Sequence, residues 1–341
     1  MNDIIQKAIK QTELARKPAD SVSWEPDQPH AQPFFRFDGS TQAWQAVSSA
    51  DNAAEGSKDI RRLALFSWNI DFMLPFAKSR MDAGLAELQT RVGALPAGTA
   101  AVVFLQECVA EDLDTVGEKA WVRDGFYRTD VNTSAWASGH YGTTTLVDRR
   151  LGVKGAFRVH YAKTRMERDA LFVDVVFKQA GKEAKEEEKT IRFCNTHLES
   201  LALEPPYRPP QMAVVAKFMH EDEVHGALAA GDFNAIQPFD RSLHDDNNLK
   251  DAYLELGGKE DSEEGYTWGQ QAATELRNLY GCSRMDKVYM CGGLKIEKFE
   301  RFGGDVEVDD MGERAEIAKL GFEKGWITDH LGVFAEVSVL D

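Results

Sequence analysis

The sequence predicts an α/β fold with a layered core, and three observations carry this prediction. The stretch "RLALFSW" at residues 62–68 is an apolar run of the kind found in buried strands. A stretch with helical spacing of apolar residues follows at 79–92, and a second apolar run, "AVVFLQ", covers residues 101–106. Strand–helix–strand order is typical of layered α/β cores. The length of 341 residues suits one large α/β domain or two small ones.

The remaining elements follow from local patterns of the same kind. In the first helix the apolar side chains that share one face are Met81, Leu85, Leu88 and Val92. A second helix is predicted over residues 208–224, because prolines open it. Strands are predicted at 143–150, 153–162, 170–178, 190–197, 227–232, 284–290, 294–302 and 331–340. The charged segments 179–189 and 257–265 are interpreted as solvated loops.

Residues 1–60 are predicted to form an extended arm that is only partly ordered. The stretch "KPADSVSWEPDQPHAQPFF" is rich in proline, polar residues and aromatic residues, and it has no regular period. Four aromatic side chains are expected to hold the arm against the rest of the chain: Trp24, Phe34, Phe35 and Trp44. The dense apolar pattern that begins after this arm places the main domain at residues 61–341.

The composition is that of an ordinary globular protein, with 43% hydrophobic and 28% charged residues. The formal net charge of −16 argues against unspecific coating of duplex DNA, which requires Lys and Arg to neutralise phosphates. This net charge is still compatible with an enzyme that holds nucleic acid in one local basic cleft. An acidic surface is also compatible with a site that attracts divalent cations.

The sequence predicts an intracellular protein, nuclear or cytoplasmic and not secreted. The charged N-terminus has no apolar segment of the kind found in secretory signals, and no run of eighteen apolar residues predicts a membrane span. The four cysteines form no CxxC pair. Buried free thiols are therefore favoured over disulfides or a zinc site.

Polar residues stand where the buried strands end or inside an apolar strand. Six stretches supply them: Asn69 and Asp71, Glu107, Asn195 with His197 and Glu199, Asp232 and Asn234, Asp286, and Asp329 with His330. A single strand-terminal carboxylate is commonly a cap or turn residue. Six such sites together are difficult to explain by capping, and they predict one catalytic centre.

Hydrolysis of a phosphodiester is the chemistry that these residue types suit. Glu107 and Asp329 are candidate Mg²⁺ ligands, because Mg²⁺ prefers oxygen ligands and takes few of them from protein. Asp71 is a third candidate, with a turn residue as the alternative. Asp232 is suited to position and deprotonate a water. The developing charge on phosphate requires donors, and the candidates are Asn69, Asn234, His197 and His330. A buried Asp286 is predicted to orient one histidine.

These residues, in this order, resemble the endonuclease/exonuclease/phosphatase superfamily. The likeness covers about residues 62–340 and rests on "SWNID", "LQE", "NTHLES", "GDFN", "SRMDKVYM" and "TDHLG". The "THLES" box, Arg208 with Gln211, and "GYTWG" with Trp268 resemble the tyrosyl-DNA phosphodiesterase branch. The resemblance implies a four-layer αββα sandwich, in which two packed mixed β-sheets are flanked by helices, with residues 61–341 as the catalytic domain.

The resemblance also implies roles for individual residues. It implies Mg²⁺, with Mn²⁺ as an alternative, at Glu107, and phosphate contacts from His197 and His330. Asp286 would pair with His330, and Asp232 and Asn234 would act on the attacking water and the phosphate. The candidate substrate-binding residues are Ser200, Arg208 and Trp268, where Trp268 is alternatively a core residue.

Three features depart from the pattern of the branch and concern the substrate. Phe72 stands where the branch usually has Gly, Met285 precedes Asp286 where an aromatic residue is frequent, and the apolar "LALEPPY" follows "THLES". The leading hypothesis is a Mg²⁺-dependent phosphodiesterase that removes 5′-tyrosyl or similar adducts from DNA ends in repair, with a single-stranded 5′ end as partner. The alternatives are a nuclease or phosphatase acting on RNA, abasic DNA or phosphorylated lipid, and an inert binding module.

Overall fold

A computed structural model describes residues 21–47, 59–180 and 186–341, together with residues 10, 14 and 16–18. Its strands are β1 Pro29–Gln32, β2 Phe35–Asp38, β3 Ala43–Ala46, β4 Arg62–Asn69, β5 Thr99–Cys108, β6 Phe126–Arg128, β7 Gly142–Asp148, β8 Gly152–His160, β9 Asp169–Ala180, β10 Glu186–Thr196, β11 Gly226–Asp232, β12 Lys250–Asp251, β13 Asp286–Gly292, β14 Leu294–Phe302 and β15 Gly332–Val339. Its α-helices are α1 Ala77–Gly93, α2 Ala110–Glu118, α3 Ala120–Gly125, α4 Arg208–Met219, α5 Leu243–Asp246, α6 Ala252–Glu255, α7 Thr274–Tyr280 and α8 Met311–Lys319, and a 3₁₀ turn covers Pro238–Arg241.

The strands form two mixed sheets. The seven-stranded sheet has the order β1-β8-β9-β10-β11-β13-β12, and the eight-stranded sheet has the order β14-β15-β4-β5-β7-β6-β2-β3. Each sheet contains one parallel pair near its middle, β10 with β11 and β4 with β5. All the other named strand pairs are antiparallel.

The two sheets pack face to face, and helices cover their outer faces. Along β4, Leu63 and Leu65 face the other sheet, whereas Phe66 and Trp68 belong to the cluster that packs against α1 and α2. The β11 strand alternates in the same way between the inter-sheet core and a third cluster that includes α4. Central strands are thus buried on both faces, which explains their continuous apolar runs. The predicted four-layer αββα sandwich is confirmed.

Local differences from the predicted elements have local causes. The second predicted helix ends at Met219 and not at residue 224. The acidic residues of 221–224 are unfavourable at the negative end of a helix, where unsatisfied carbonyl groups concentrate. Helices α2, α3, α5, α6, α7 and α8 were not predicted.

The described part of residues 1–60 extends both sheets. Strand β1 pairs with β8 at the edge of the seven-stranded sheet, and β2 and β3 pair with each other beside β6 in the other sheet. Phe34 is buried between the sheets and packs edge-on against Tyr127, with ring centroids 5.6 Å apart. The segment therefore forms regular strands where it meets the sheets. The domain boundary at residue 60 stays a prediction.

Buried charges hold several loops to this core. Arg158 of β8 is fully buried and pairs with Asp130 and Asp169, so it links the two sheets. In the segment predicted as a solvated loop at 257–265, Glu260 accepts a hydrogen bond of 2.8 Å from the buried Lys287. The four cysteines are free; Cys108, Cys194 and Cys291 are buried as predicted, whereas Cys282 is only partly buried. In the part of the chain that the structure describes, no helix is long and apolar enough to cross a membrane.

One glycine decides how closely the parallel strands β10 and β11 approach at the end that carries Asp232. Gly231 has a φ of +148°, and a Cβ atom there would lie 1.8 Å from the carbonyl oxygen of Thr196. We expect Gly231→Ala to lower the free energy of unfolding by more than about 2 kcal/mol, because backbone atoms must move apart.

Urea unfolding measures this effect, and Gly39→Ala is the matched control. A Cβ atom at Gly39 meets no atom within 4 Å. The control is expected to stay within about 0.5 kcal/mol of the original protein. Equal stability of the two variants would show that the close approach of β10 and β11 is not a constraint.

Candidate active site

The predicted site residues meet at one edge of the two-sheet core. The carboxyl ends of the parallel pairs β4–β5 and β10–β11 lie at this edge, and the antiparallel strands β13 and β15 begin there. Asp286 at the start of β13 is directly opposite Asp232 at the end of β11. Residues separated by more than half of the chain are therefore brought together by sheet topology.

Asp232 is the centre of a hydrogen-bond network. Its Oδ2 accepts from Nδ2 of Asn69 at 3.0 Å, and its Oδ1 accepts from the backbone nitrogen of Asn234 at 2.8 Å. The side-chain nitrogen of Asn234 donates its two protons to the carbonyl of Leu198 at 3.1 Å and to Oδ2 of Asp232 at 3.3 Å, and it lies 3.0 Å from Nε2 of His197. Burial raises the pKa of Asp232, but His330 and His197 outweigh burial and hold the pKa well below its usual value. Asp232 is therefore an anion at neutral pH.

Arg168 holds the ring of His197 in one tautomer. A guanidinium nitrogen of Arg168 contacts Nδ1 of His197. Because arginine only donates hydrogen bonds, Nδ1 must accept, and the ring proton must be on Nε2. That atom lies 3.2 Å from Oδ2 of Asp232. Burial and the Arg168 charge lower the pKa of His197, so the ring is neutral.

His330 has the opposite electrostatic surroundings. Its Nδ1 donates to Oδ2 of the fully buried Asp286 at 2.8 Å, as predicted for this pair. Its Nε2 lies 3.7 Å from Asp232 and 3.8 Å from Asp329. Burial lowers the pKa of His330, but the carboxylates Asp286, Asp232 and Asp329 outweigh burial and raise it well above its usual value. A protonated ring therefore presents Nε2–H to the cavity.

Three further carboxylates belong to the same cavity. Asp71, Glu107 and Asp329 line the same cavity as Asp232. Burial, then the charges of Asp329 and Glu107, raises the pKa of Asp71 to about 8. Burial also raises the pKa of Asp329, whose Oδ2 accepts a 2.7 Å hydrogen bond from the indole nitrogen of Trp268. A cation would stabilise the ionised forms of buried carboxyl groups such as Asp71 and Asp329, whose pKa values are raised, and oxygen donors suit Mg²⁺.

A second grouping has the spacing of a metal site but not its chemistry. Ligand atoms of Asp232, Asp286 and His330 all lie within 4.8 Å of one another. His330 uses Nδ1 to donate to Asp286, and its protonated ring has no lone pair to offer a metal. The set of Asp71, Glu107 and Asp329 therefore fits a divalent cation better.

An unusual backbone conformation sets the direction of three of these side chains. Glu107, Asp71 and Asn234 have φ values of 58°, 58° and 48°, in the left-handed region. Asp and Asn tolerate this region, whereas Glu seldom adopts it. Glu107 lies where the pairing of β5 with β7 shifts between Leu105 and Cys108, and such bulges re-aim side chains next to active sites. The conformation at Glu107 costs roughly 1–3 kcal/mol.

The cavity above these residues has a volume of about 770 Å³. Its walls are largely apolar, and Phe72 stacks on Tyr141 with ring centroids 4.2 Å apart. The three features that depart from the family pattern all lie in these walls: Phe72, Met285 and the segment of Leu201, Ala202 and Leu203. These residues form part of the apolar walls of the cavity and do not belong to the polar centre.

The three candidate substrate-binding residues have different positions. Ser200 and Trp268 line the cavity. Arg208 is not among the lining residues and is 2% exposed, with two hydrogen bonds of 2.8 and 2.7 Å to Asp240. It also donates to the carbonyl of Leu201, so in this position Arg208 holds the loop that follows Ser200 and does not face the cavity.

Asp286→Asn tests the charge coupling at His330. The amide keeps the shape of the carboxylate and removes its charge, so the raised pKa of His330 is expected to fall. The protonated ring stabilises the fold below its ordinary pKa, and this contribution is lost as pH rises through the raised pKa. In Asp286→Asn, the stability contributed by the protonated His330 ring is therefore expected to be lost at a lower pH than in the unmodified protein.

NMR titration of the His330 ring in metal-free protein measures the change. Asp261→Asn removes an exposed carboxylate that pairs with Arg241, and it is the matched control. An unchanged His330 pKa in Asp286→Asn would contradict the assigned coupling.

Comparisons with known proteins identify the family and the fold. The sequence model of the Endonuclease/Exonuclease/phosphatase family matches residues 66–330. No protein of curated function matches the chain. Among solved structures, a humanised TDP2 from D. rerio has a TM-score of 0.59 at 18% identity, covering 82% of this chain and 99% of that one.

Two further structures have the same fold. A truncated TDP2 from Caenorhabditis elegans has a TM-score of 0.56 at 22% identity, with 82% of this chain and 98% of that chain covered. The human Nocturnin catalytic domain with bound sulfate has a TM-score of 0.52 at 16% identity, with 83% and 96% covered. The predicted resemblance is confirmed, and the chain belongs to the endonuclease/exonuclease/phosphatase family.

Proposed function

We propose that this chain is a Mg²⁺-dependent phosphodiesterase that removes tyrosyl or similar adducts from 5′ ends of DNA. The observation that carries the proposal is the pairing of a protonated His330, anchored by Asp286, with an ionised Asp232 in one cavity. A cationic donor beside an anion that can orient water is what in-line attack on a phosphodiester requires.

In this proposal His330 binds the phosphate, and the neutral histidine and two amides hold Asp232. His330 donates from Nε2 to a phosphate oxygen, and its positive charge stabilises the negative charge that grows there during attack. His197 is neutral and is held toward Asp232 by Arg168. Asn69 and Asn234 fix the carboxylate of Asp232 from two sides.

Asp232 orients the attacking water. A base is most effective when its pKa lies near the working pH, and the pKa of Asp232 is held well below its usual value. Its main contribution is therefore to accept a hydrogen bond from the water and to direct the water at phosphorus. This role is narrower than the deprotonation that the sequence alone predicts.

Asp71, Glu107 and Asp329 would hold the divalent cation, Mg²⁺ or alternatively Mn²⁺. When bound, such an ion neutralises charge on phosphate oxygens and on the leaving group. The backbone nitrogen of Phe72 donates to Oε2 of Glu107 at 3.1 Å, which fixes that carboxylate. The indole of Trp268 does the same for Asp329.

The apolar walls support an aromatic adduct as the leaving group. Phe72 and Tyr141 form a stacked pair at the cavity, and Trp268 lines it as well. A TDP2 from D. rerio was solved in complex with a single-strand DNA product, which supports a DNA end as the other half of the substrate. Such a substrate would be met in the nucleus or the cytoplasm.

The aliphatic part of the same walls favours a second candidate. Leu201, Leu203 and Met285 line the cavity, and the chain has a net charge of −16. A phosphodiester that carries an aliphatic group, such as a phosphorylated lipid, would bury more apolar surface there than a nucleotide does.

A substrate panel tests the proposal and separates these candidates. Purified protein is assayed with Mg²⁺ on oligonucleotides that carry a 5′-phosphotyrosine, a 3′-phosphotyrosine, an abasic site or an unmodified end, and on a phosphorylated lipid. We expect the 5′-phosphotyrosine to be cleaved fastest, leaving a 5′ phosphate. Faster cleavage of any other substrate would overturn the 5′-adduct assignment.

Glu107→Gln tests the metal site. We expect turnover to fall on the order of a hundredfold or more, because the charge that holds the cation is removed. Calorimetry is expected to show weaker Mg²⁺ binding by the variant.

Glu111→Gln removes an exposed carboxylate on α2 and is the control for the change in net charge. Full activity of either protein in excess EDTA would rule out a required divalent cation. Unchanged Mg²⁺ binding by Glu107→Gln would place the ion elsewhere.

A further inference from the structure

The segment of residues 21–32, here called the N-terminal strap, lies beside the start of the loop of residues 161–168. Its last part is β1, where Pro29 pairs with Val159 and Gln32 with Ala156. Just before β1, the backbone nitrogen of Asp27 donates to the carbonyl of His160 at 2.8 Å. The strap thus continues the sheet to the point where the loop begins.

Two side chains of the strap hold the start of the loop. Oδ1 of Asp27 accepts from the backbone nitrogen of Ala162 at 2.9 Å. The indole of Trp24 stacks on the ring of His160, with centroids 3.9 Å apart and planes 22° apart. Asp27 has a φ of 57°, a left-handed conformation that Asp and Asn adopt more readily than other side chains.

Residues before the strap hold the end of the same loop and a neighbouring one. Arg16 forms an ion pair with Glu167. Nζ of Lys17 donates to the carbonyls of Thr133 and Ser134 at 2.8 and 3.0 Å. These contacts reach the segments that carry Met166, Arg168 and Tyr141, which line the cavity.

The other side of the loop contacts the polar centre. Oγ1 of Thr164 and the backbone nitrogen of Arg165 donate to the carboxylate of Glu199, at 2.7 and 3.0 Å. Arg168, at the end of the loop, contacts His197 and donates to Oγ of Ser200 at 2.9 Å. The loop is therefore fixed on one side by the strap and supports His197 on its other side.

We infer that the N-terminal strap is a positioning element of the active site. By fixing loop 161–168 it holds Arg168 against Nδ1 of His197, which keeps the ring proton on Nε2 and directed at Asp232. Trp24 and Asp27 are positioning residues that act through this loop and contact no substrate. The kinetic part of the inference rests on the proposed function, whereas the state of the His197 ring does not.

Paired variants test the inference. Trp24→Ala removes the stack and Asp27→Ala removes the acceptor, whereas Trp24→Phe keeps an aromatic ring and Asp27→Asn keeps an acceptor oxygen. We expect kcat/KM to fall about tenfold to about a hundredfold in the two alanine variants, since a small displacement of a catalytic group has effects of this size. Recovery of kcat/KM is expected in Trp24→Phe and Asp27→Asn.

Nitrogen NMR of histidine-labelled protein gives a readout that is independent of activity. In the unmodified protein the His197 ring is expected to show a single tautomer with its proton on Nε2. In Trp24→Ala and Asp27→Ala a mixture of tautomers is expected. This measurement tests the strap even if the substrate panel refutes a phosphodiesterase.

Trp44→Ala is the control for a general loss of stability. Trp44 belongs to the same N-terminal segment, but it contacts Arg128 and Gly117 at the opposite sheet edge. This variant is expected to lower Tm while keeping kcat/KM within about twofold and the His197 tautomer unchanged. The inference is overturned if both alanine variants at the strap keep one His197 tautomer, or if Trp44→Ala changes the tautomer as they do.

Discussion

The hydrogen bond between Gln106 and Asn195 joins the two sheets, and the position of the whole site depends on it. Nε2 of Gln106 on β5 donates to Oδ1 of Asn195 on β10 at 2.8 Å, and both residues are fully buried. Apolar packing alone has no direction and would tolerate sliding of one sheet over the other. A buried polar pair is satisfied in one alignment only, so it fixes the alignment. Glu107 follows Gln106 and His197 lies two residues after Asn195, so this bond sets the position of the Glu107 carboxylate relative to the His197 ring.

The two histidines differ in charge because different side chains lie next to their rings. His197 faces a guanidinium and is neutral, whereas His330 faces carboxylates and is protonated. Both rings approach Oδ2 of Asp232, at 3.2 and 3.7 Å. The site therefore combines an uncharged donor, which holds Asp232 in place, with a cationic donor, which is available to the substrate. Residues of one type whose surroundings separate their pKa values are a general means of dividing tasks in active sites.

The strand-end residues could be predicted from sequence because buried strands have a strong local signal and polar residues stand out against it. The pairing of Asp286 with His330 was also predictable, since a carboxylate inside "RMDKVYM" requires a partner. Arg168 could not be assigned in this way. It is the last residue of the polar stretch "KTRMER", which has the composition of a solvated loop, and its contact with His197 depends on how β9 and β10 pair. The left-handed backbone at Glu107 has no sequence signal either, because Glu rarely adopts it.

The position of β15 determines when during synthesis the site can exist. This strand follows all the other named strands in sequence, and it lies between β14 and β4, next to the strand that ends at Asn69. Asp329 and His330 immediately precede it, so they have no fixed place until residues 332–339 join the sheet. A chain that is still being made therefore presents Asn69 and Asp232 without the cationic donor. The order of elements along the chain therefore keeps the polar centre incomplete until residues 332–339 have been synthesised and have joined the sheet.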